Sequence, residues 1–178
     1  MRIACVIGCC LFCLGSSLPK SFVIQHKEII VKGQTSLGGF ECIYDNTLAG
    51  DTLFFERQVV ENNSLDFFIP VADFGCGNFL LNSDFRKTLK AEEFPLCKVS
   101  VTHLFQGQNS IYGNIALDLA GKHLTLEKVV FNQEKGSLQG NVQLSFDQLD
   151  LQAPDRLGGL IKVEEMIELQ INLFLEPT

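Results

Sequence analysis

VADFGCGNFLLNSDFRKTLKAEEFP, residues 71–95, breaks the rhythm of the chain around it. Elsewhere apolar residues recur about every second position; here the spacing lengthens to about 3.6. The change predicts one short helix over residues 82–90. Asn82, Ser83 and Asp84 supply side-chain oxygens that can accept the first free backbone N–H groups, and Phe85 and Leu89, at i and i+4, share one apolar face. Pro95 returns the chain to extended structure. A lone amphipathic helix among antiparallel strands requires an apolar surface to cover, and one open end or side of a curved sheet would provide it.

Upstream of the helix the β-branched residues at 22–32 predict a first strand, with a break at His26 and Lys27. Glycines at 33, 38 and 39 mark a bend. Phe40, Cys42 and Tyr44 share one parity of a second strand, which ends at the turn signals Asp45, Asn46, Gly50 and Asp51. A third strand starts at Leu53. A fourth, over residues 65–71, turns Phe67, Ile69 and Val71 to one face.

Downstream the alternation is clean. Residues 98–105 place Val99, Val101 and His103 on one face, and residues 111–119 do the same with Ile115, Leu117 and Leu119. Gly121 turns the chain into a strand over residues 123–131, and the Glu134, Lys135, Gly136 turn leads into another. That strand, residues 138–146, alternates Leu138, Val142, Leu144 and Phe146 against polar partners. The last, residues 166–175, points Ile167, Leu169, Ile171, Leu173 and Leu175 inward. Eight or nine strands, each apolar on one face, need closure. An antiparallel barrel removes the exposed edges and encloses those faces.

At 178 residues and without a Pro/Gly/Ser linker, the chain reads as a leader over residues 1–17 and one domain over 18–178. Arg2, the apolar run 3–14 and the small residues Gly15, Ser16 and Ser17 fit a cleaved export signal, so the expected location is periplasmic or secreted. A lipobox-like Val6, Ile7, Gly8, Cys9 offers lipoprotein anchoring as the lesser reading. A net charge of −7 and the lack of a basic stripe argue against nucleic acid. Fifteen Phe with no Trp suit a dry interior.

With the leader removed, Cys42, Cys76 and Cys97 remain in an oxidising compartment, and at most one pair can form. Two readings stand: buried free thiols, or a Cys42 to Cys76 disulfide tying an early strand to the start of the helical region. No zinc-type spacing is present, so no metal is expected. His26, His103 and His123 have no Ser, Cys or Asp neighbour in a triad-like motif, and Gly75 and Gly77 lack the rest of a phosphate loop. No catalytic residue is expected; an unrecognised hydrolase would need His103 perturbed inside a polar pocket.

Taken in order, Gly38, Gly39 and Phe40, then Asp84, Phe85, Leu89, Phe94 and Pro95, resemble the YceI-like family. So do Tyr112 to Leu119 with Gly121, and the closing Gly159, Leu160, Ile161, Lys162 and Val163. The chain departs from many members at 120–123, where Ala, Gly, Lys and His replace a polar stretch. The resemblance implies a single lipocalin-like antiparallel β-barrel of about eight strands with one short α-helix. Its lumen would hold a long isoprenoid or fatty-acyl lipid, such as a quinone, for storage or transport. Strand alternation gives the expected lining as Phe67, Ile69, Val99, Val101, Ile115, Leu117, Leu144, Phe146, Leu169 and Ile171, with Phe85 and Leu89 of the helix near the mouth. No cofactor beyond such a lipid is implied, and the reading leaves room for a transient membrane contact and a homodimer. The alternative is a ligand-free structural or stress-protective module whose barrel is filled by its own side chains.

Overall fold

The structure, a computed structural model, describes residues 20–46, 51–55, 64–106, 110–134, 136–154 and 162–177. The leader, its lipobox-like cysteine and residues 159–161 lie outside the described residues, as does the side chain of His103. Among the described residues there are nine strands: β1 (Lys20–Thr35), β2 (Gly38–Asn46), β3 (Asp51–Phe55), β4 (Ser64–Pro70), β5 (Leu96–Gln106), β6 (Ile111–Leu119), β7 (Lys122–Glu134), β8 (Ser137–Ser145) and β9 (Val163–Pro177). One helix, α1 (Phe79–Thr88), lies between β4 and β5. The strands form one antiparallel sheet in the order β2-β1-β9-β8-β7-β6-β5-β4, curled into a lipocalin-like barrel. β1 is long enough to pair β3 along its first residues and β2 along its last. The expected break at His26 and Lys27 is a shift of register against β9 between Ile24 and His26, not the end of a strand.

β2 and β4 are the two ends of the sheet, and among the described residues no ladder joins them. The gap is bridged after β4. Ile43 and Gly75 exchange both backbone hydrogen bonds at 2.9 Å, and Cys42 is disulfide-bonded to Cys76. Among the described residues the seam of the barrel is therefore crossed by this bridge and this covalent bond, both next to the segment that leads into α1.

α1 starts earlier than the sequence spacing predicts. Its N-cap is Asn78, in an extended conformation, with the side-chain oxygen accepting from the Leu81 N–H at 2.9 Å. Asn82, Ser83 and Asp84 lie inside the helix, so they do not cap it. Asn82 serves the loop instead, its Oδ1 accepting from the Cys76 N–H at 2.6 Å. Gly77, at φ 83°, makes the left-handed step that sets Asn78 in place. The helix ends where Lys90 takes φ 51°, and Leu89, just past the last turn, is buried.

Two bulges change which face looks inward. In β7 the register against β6 shifts between Gly113 and Ile115, with Lys128 at φ 55° and its N–H donating to Asn114 Oδ1 at 2.9 Å. Leu124 and Leu126 thus face the core before the shift and Val129 and Phe131 after it. β5 shifts likewise past Thr102, and Leu104 joins the core. Phe131 is packed over two glycines, because a Cβ on Gly140 would lie 2.7 Å from its ring and one on Gly113 3.1 Å.

Candidate functional site

Inward side chains do not fill the barrel evenly. At one end Ile24, Phe67, Val101, Ile115, Phe131, Leu138, Ile171 and Leu173 are each at most 1% exposed and belong to the buried apolar cluster. Lys27 is 3% exposed there, its ammonium 4.3 Å from the centroid of the Phe67 ring. At the α1 end the barrel is hollow. A cavity of about 530 Å³ opens between α1 and the turn joining β1 to β2.

Strands β4, β5, β6, β8 and β9 contribute to this wall one pleat away from that buried cluster. Ile69 on β4, Val99 on β5, Leu117 on β6, Leu144 on β8 and Leu169 on β9 line the cavity, as does Phe146 just past β8. Phe85 and Leu89 cover it from α1. Phe67, Val101, Ile115 and Ile171, expected with them, are buried at the other end and do not line it. They have the same parity but lie two residues along their strands, a step of about 7 Å away from the mouth. The expected lining left out Ile29, Val31, Phe74, Leu119, Val163 and Ile167, which also line the cavity. Alternation turns Leu119 and Ile167 inward. Phe74 follows a 3₁₀ turn at Val71–Asp73, where no periodicity points to it.

α1 sits over a hollow, and its burial reflects that. No side chain within Phe79–Thr88 is fully buried; Leu81 and Phe85, on the inner side, are only half-buried. Phe85 is held by Phe74 at 5.1 Å between centroids, and Phe74 by Tyr44 at 5.7 Å. At the mouth Leu37 and Leu80 are 77% and 60% exposed, and Phe79, beside Leu80, is 82% exposed. Among the described residues, the lining side chains that carry oxygen or nitrogen are Thr35 on β1, Asn78 at the start of α1, and Asp84 and Thr88 on α1. Cys97 also lines the cavity as a free buried thiol, pushed up to about 12 by burial and secondarily by the Asp118 carboxylate.

Among the described residues no group of three or more His, Cys, Asp and Glu side chains is placed to hold a metal ion. His123 pairs with Asp118 and His26 with Asp45, both on the outside of the barrel.

No family model matches the chain, and no curated protein matches its sequence. Solved structures share its fold. BcnA of Burkholderia cenocepacia is 12% identical over 84% of this chain and 96% of its own, with a TM-score of 0.52. A domain of Saccharophagus degradans, described as polyisoprenoid-binding and implicated in plant cell wall breakdown, is 10% identical. That match covers 90% of this chain and all of that domain, with a TM-score of 0.52. The YceI protein of Campylobacter jejuni is 13% identical over 70% of this chain and 77% of its own, again at 0.52.

Proposed function

We propose that this protein, built on the fold those structures share, is an exported binding protein that encloses one long-chain apolar molecule in the hollow end of its barrel. The observation that carries the reading is the apolar cavity of about 530 Å³ beneath α1. A cavity of this size that the inward side chains leave unfilled disfavours the filled-barrel module. At about 30 Å³ per water-sized group, about 530 Å³ accommodates on the order of 18 such groups, which suits an isoprenoid or fatty-acyl chain of about 15 to 20 carbons. Burying about 15 carbons at ~0.8 kcal/mol each favours binding by ~12 kcal/mol before the costs of association and ordering.

The polyisoprenoid-binding description of the Saccharophagus degradans domain supports the choice of ligand class. The Cys42–Cys76 disulfide supports an oxidising compartment. Exposed Leu37 and Leu80 at the rim, with Phe79 beside them, support transient contact with the membrane from which such a lipid would be collected. Storage or transport follows from enclosure without chemistry.

Titration with all-trans-retinol, a fluorescent isoprenoid alcohol, tests the reading. Saturable one-to-one enhancement, displaced by non-fluorescent long-chain isoprenols and not by short ones, is expected. No saturable uptake of any long-chain ligand would sink it.

A further inference from the structure

The mouth of the cavity has apolar side chains on both banks that the fold holds outward. Leu37 stands in the turn between β1 and β2, and that turn is fixed from several sides. The Thr35 hydroxyl accepts from the Leu37 N–H at 3.1 Å and donates to the Gly38 carbonyl at 2.8 Å, while the Ser36 N–H donates to the Lys162 carbonyl at 2.9 Å. On the other bank Phe79 and Leu80 open α1. Asn78 caps that first turn, and the Asn82 side chain ties it to the disulfide-bonded Cys76. Leu37 and Leu80 line the cavity as well as being exposed, so the apolar surface of the lining continues onto the rim.

Charge decides what covers this rim. α1 has Arg86 and Lys87 in its last turn, both exposed and outside the lining, and Lys90 follows, exposed, just past its end. The acid within α1, Asp84, belongs to the lining instead. At 100° per residue, Phe79, Ser83 and Arg86 stand on one side of the helix and Leu81, Phe85 and Thr88 on the other. The outer side of α1 is thus apolar at its start and cationic at its end, which suits a helix resting in the headgroup layer of an anionic bilayer. Acids flank it without being part of it: Asp73 before α1, Glu92 and Glu93 after it, and Glu164 and Glu165 beyond Lys162 on the opposite bank. A second copy of the chain fits the rim less well. A two-fold pairing of mouths would set the cationic ends of two α1 helices in one interface and bring together two chains of net charge −7.

Resting on the lipid-binding reading above, we propose that the mouth docks on the surface of an anionic phospholipid bilayer, with Leu37, Phe79 and Leu80 at the acyl boundary and Arg86, Lys87 and Lys90 on the phosphates. The ligand then passes between bilayer and cavity without crossing water. Its transfer is collisional, so the rate rises with vesicle concentration instead of being limited by escape of the ligand into water.

Flotation with vesicles of phosphatidylcholine, alone or mixed with phosphatidylglycerol, and stopped-flow transfer of retinol from the same vesicles test this on wild type, Phe79→Ser and Lys87→Gln/Lys90→Gln. None of these three residues lines the cavity, so both variants should bind retinol as wild type does when no vesicles are present. Wild type should bind the mixed vesicles more tightly than the neutral ones and load faster as vesicle concentration rises. Phe79→Ser should weaken binding to both kinds of vesicle by at least about tenfold. Lys87→Gln/Lys90→Gln should weaken binding to the mixed vesicles by roughly 20-fold, about fivefold for each cation, and leave the neutral ones little changed. Docking would be overturned, with lipid binding intact, if wild type floats with neither vesicle, if its loading rate is independent of vesicle concentration, or if the variants float as wild type does. Self-association of wild type that Phe79→Ser abolishes would overturn it too, by giving the rim to a second copy. Failure of retinol to bind without vesicles would overturn the lipid-binding reading itself.

Discussion

Val99 and Val101 lie on the same strand and the same face, and both are 1% exposed, yet only Val99 borders the cavity. Substituting Phe at each position separates a hollow from a solid core. Val99→Phe adds about four carbons that have empty space to enter, so it should leave the melting temperature within about 2 °C of wild type. Those carbons occupy volume a ligand tail would use. Losing about four buried methylenes at ~0.8 kcal/mol each weakens binding by ~3 kcal/mol, or roughly 200-fold. Val101→Phe pushes the same carbons against Ile115, its partner on β6, among buried side chains that do not line this cavity. Overpacking there costs about 1–3 kcal/mol, a drop of about 3–10 °C for a chain of this size. Retinol titration and thermal melts on both variants supply the two readouts. If the variants melt alike and Val99→Phe binds retinol as wild type does, the division into hollow and solid ends is wrong.

Three further outcomes follow from the packing. Gly140→Ala would set a Cβ 2.7 Å from the Phe131 ring and should lower stability by about 1–3 kcal/mol in urea denaturation, with Phe131→Leu recovering part of the loss in the double variant. Cys42→Ser/Cys76→Ser removes a crosslink spanning 34 residues together with the covalent half of the seam, which should cost roughly 3–4 kcal/mol in the same assay. The Cys97 thiol keeps its proton up to about pH 12 in the native state, whereas the unfolded thiol loses it near its ordinary value of 9.0. The native state thus binds more protons above pH 9, and the thiol's contribution to stability, complete below that pH, is lost as pH rises towards 12. Between pH 8 and pH 10 wild type should lose about 1–2 kcal/mol more than Cys97→Ala in urea melts, and the thiol should resist iodoacetamide at pH 7.5 until the chain unfolds.

Alternation made the strands legible, because a half-buried strand must show its face at every second residue. β6 was readable to the residue, and β5, β8 and β9 to within a few at each end. It could not show depth. Phe67 and Ile69 obey the same parity rule, and so do Val99 and Val101, while the boundary between packed core and cavity runs between the members of each pair. That boundary depends on which side chains meet across the barrel, a property of register and curvature rather than of any one strand. Bulges hid a second part: at Lys128 one extra residue turns the inward face of β7 from Leu124 and Leu126 to Val129 and Phe131. The start of α1 was hidden by its exposed Phe79 and Leu80. These break the apolar-in, polar-out pattern and moved the expected cap from Asn78 to the polar run beginning at Asn82.

Native mass spectrometry of the full chain, expressed with its leader and purified without detergent, tests the central claim most directly. The account predicts one adduct per protein with the mass of a single long-chain lipid, extractable into organic solvent and missing from Val99→Phe. A bare mass for the wild-type protein, unchanged after incubation with retinol, would contradict it.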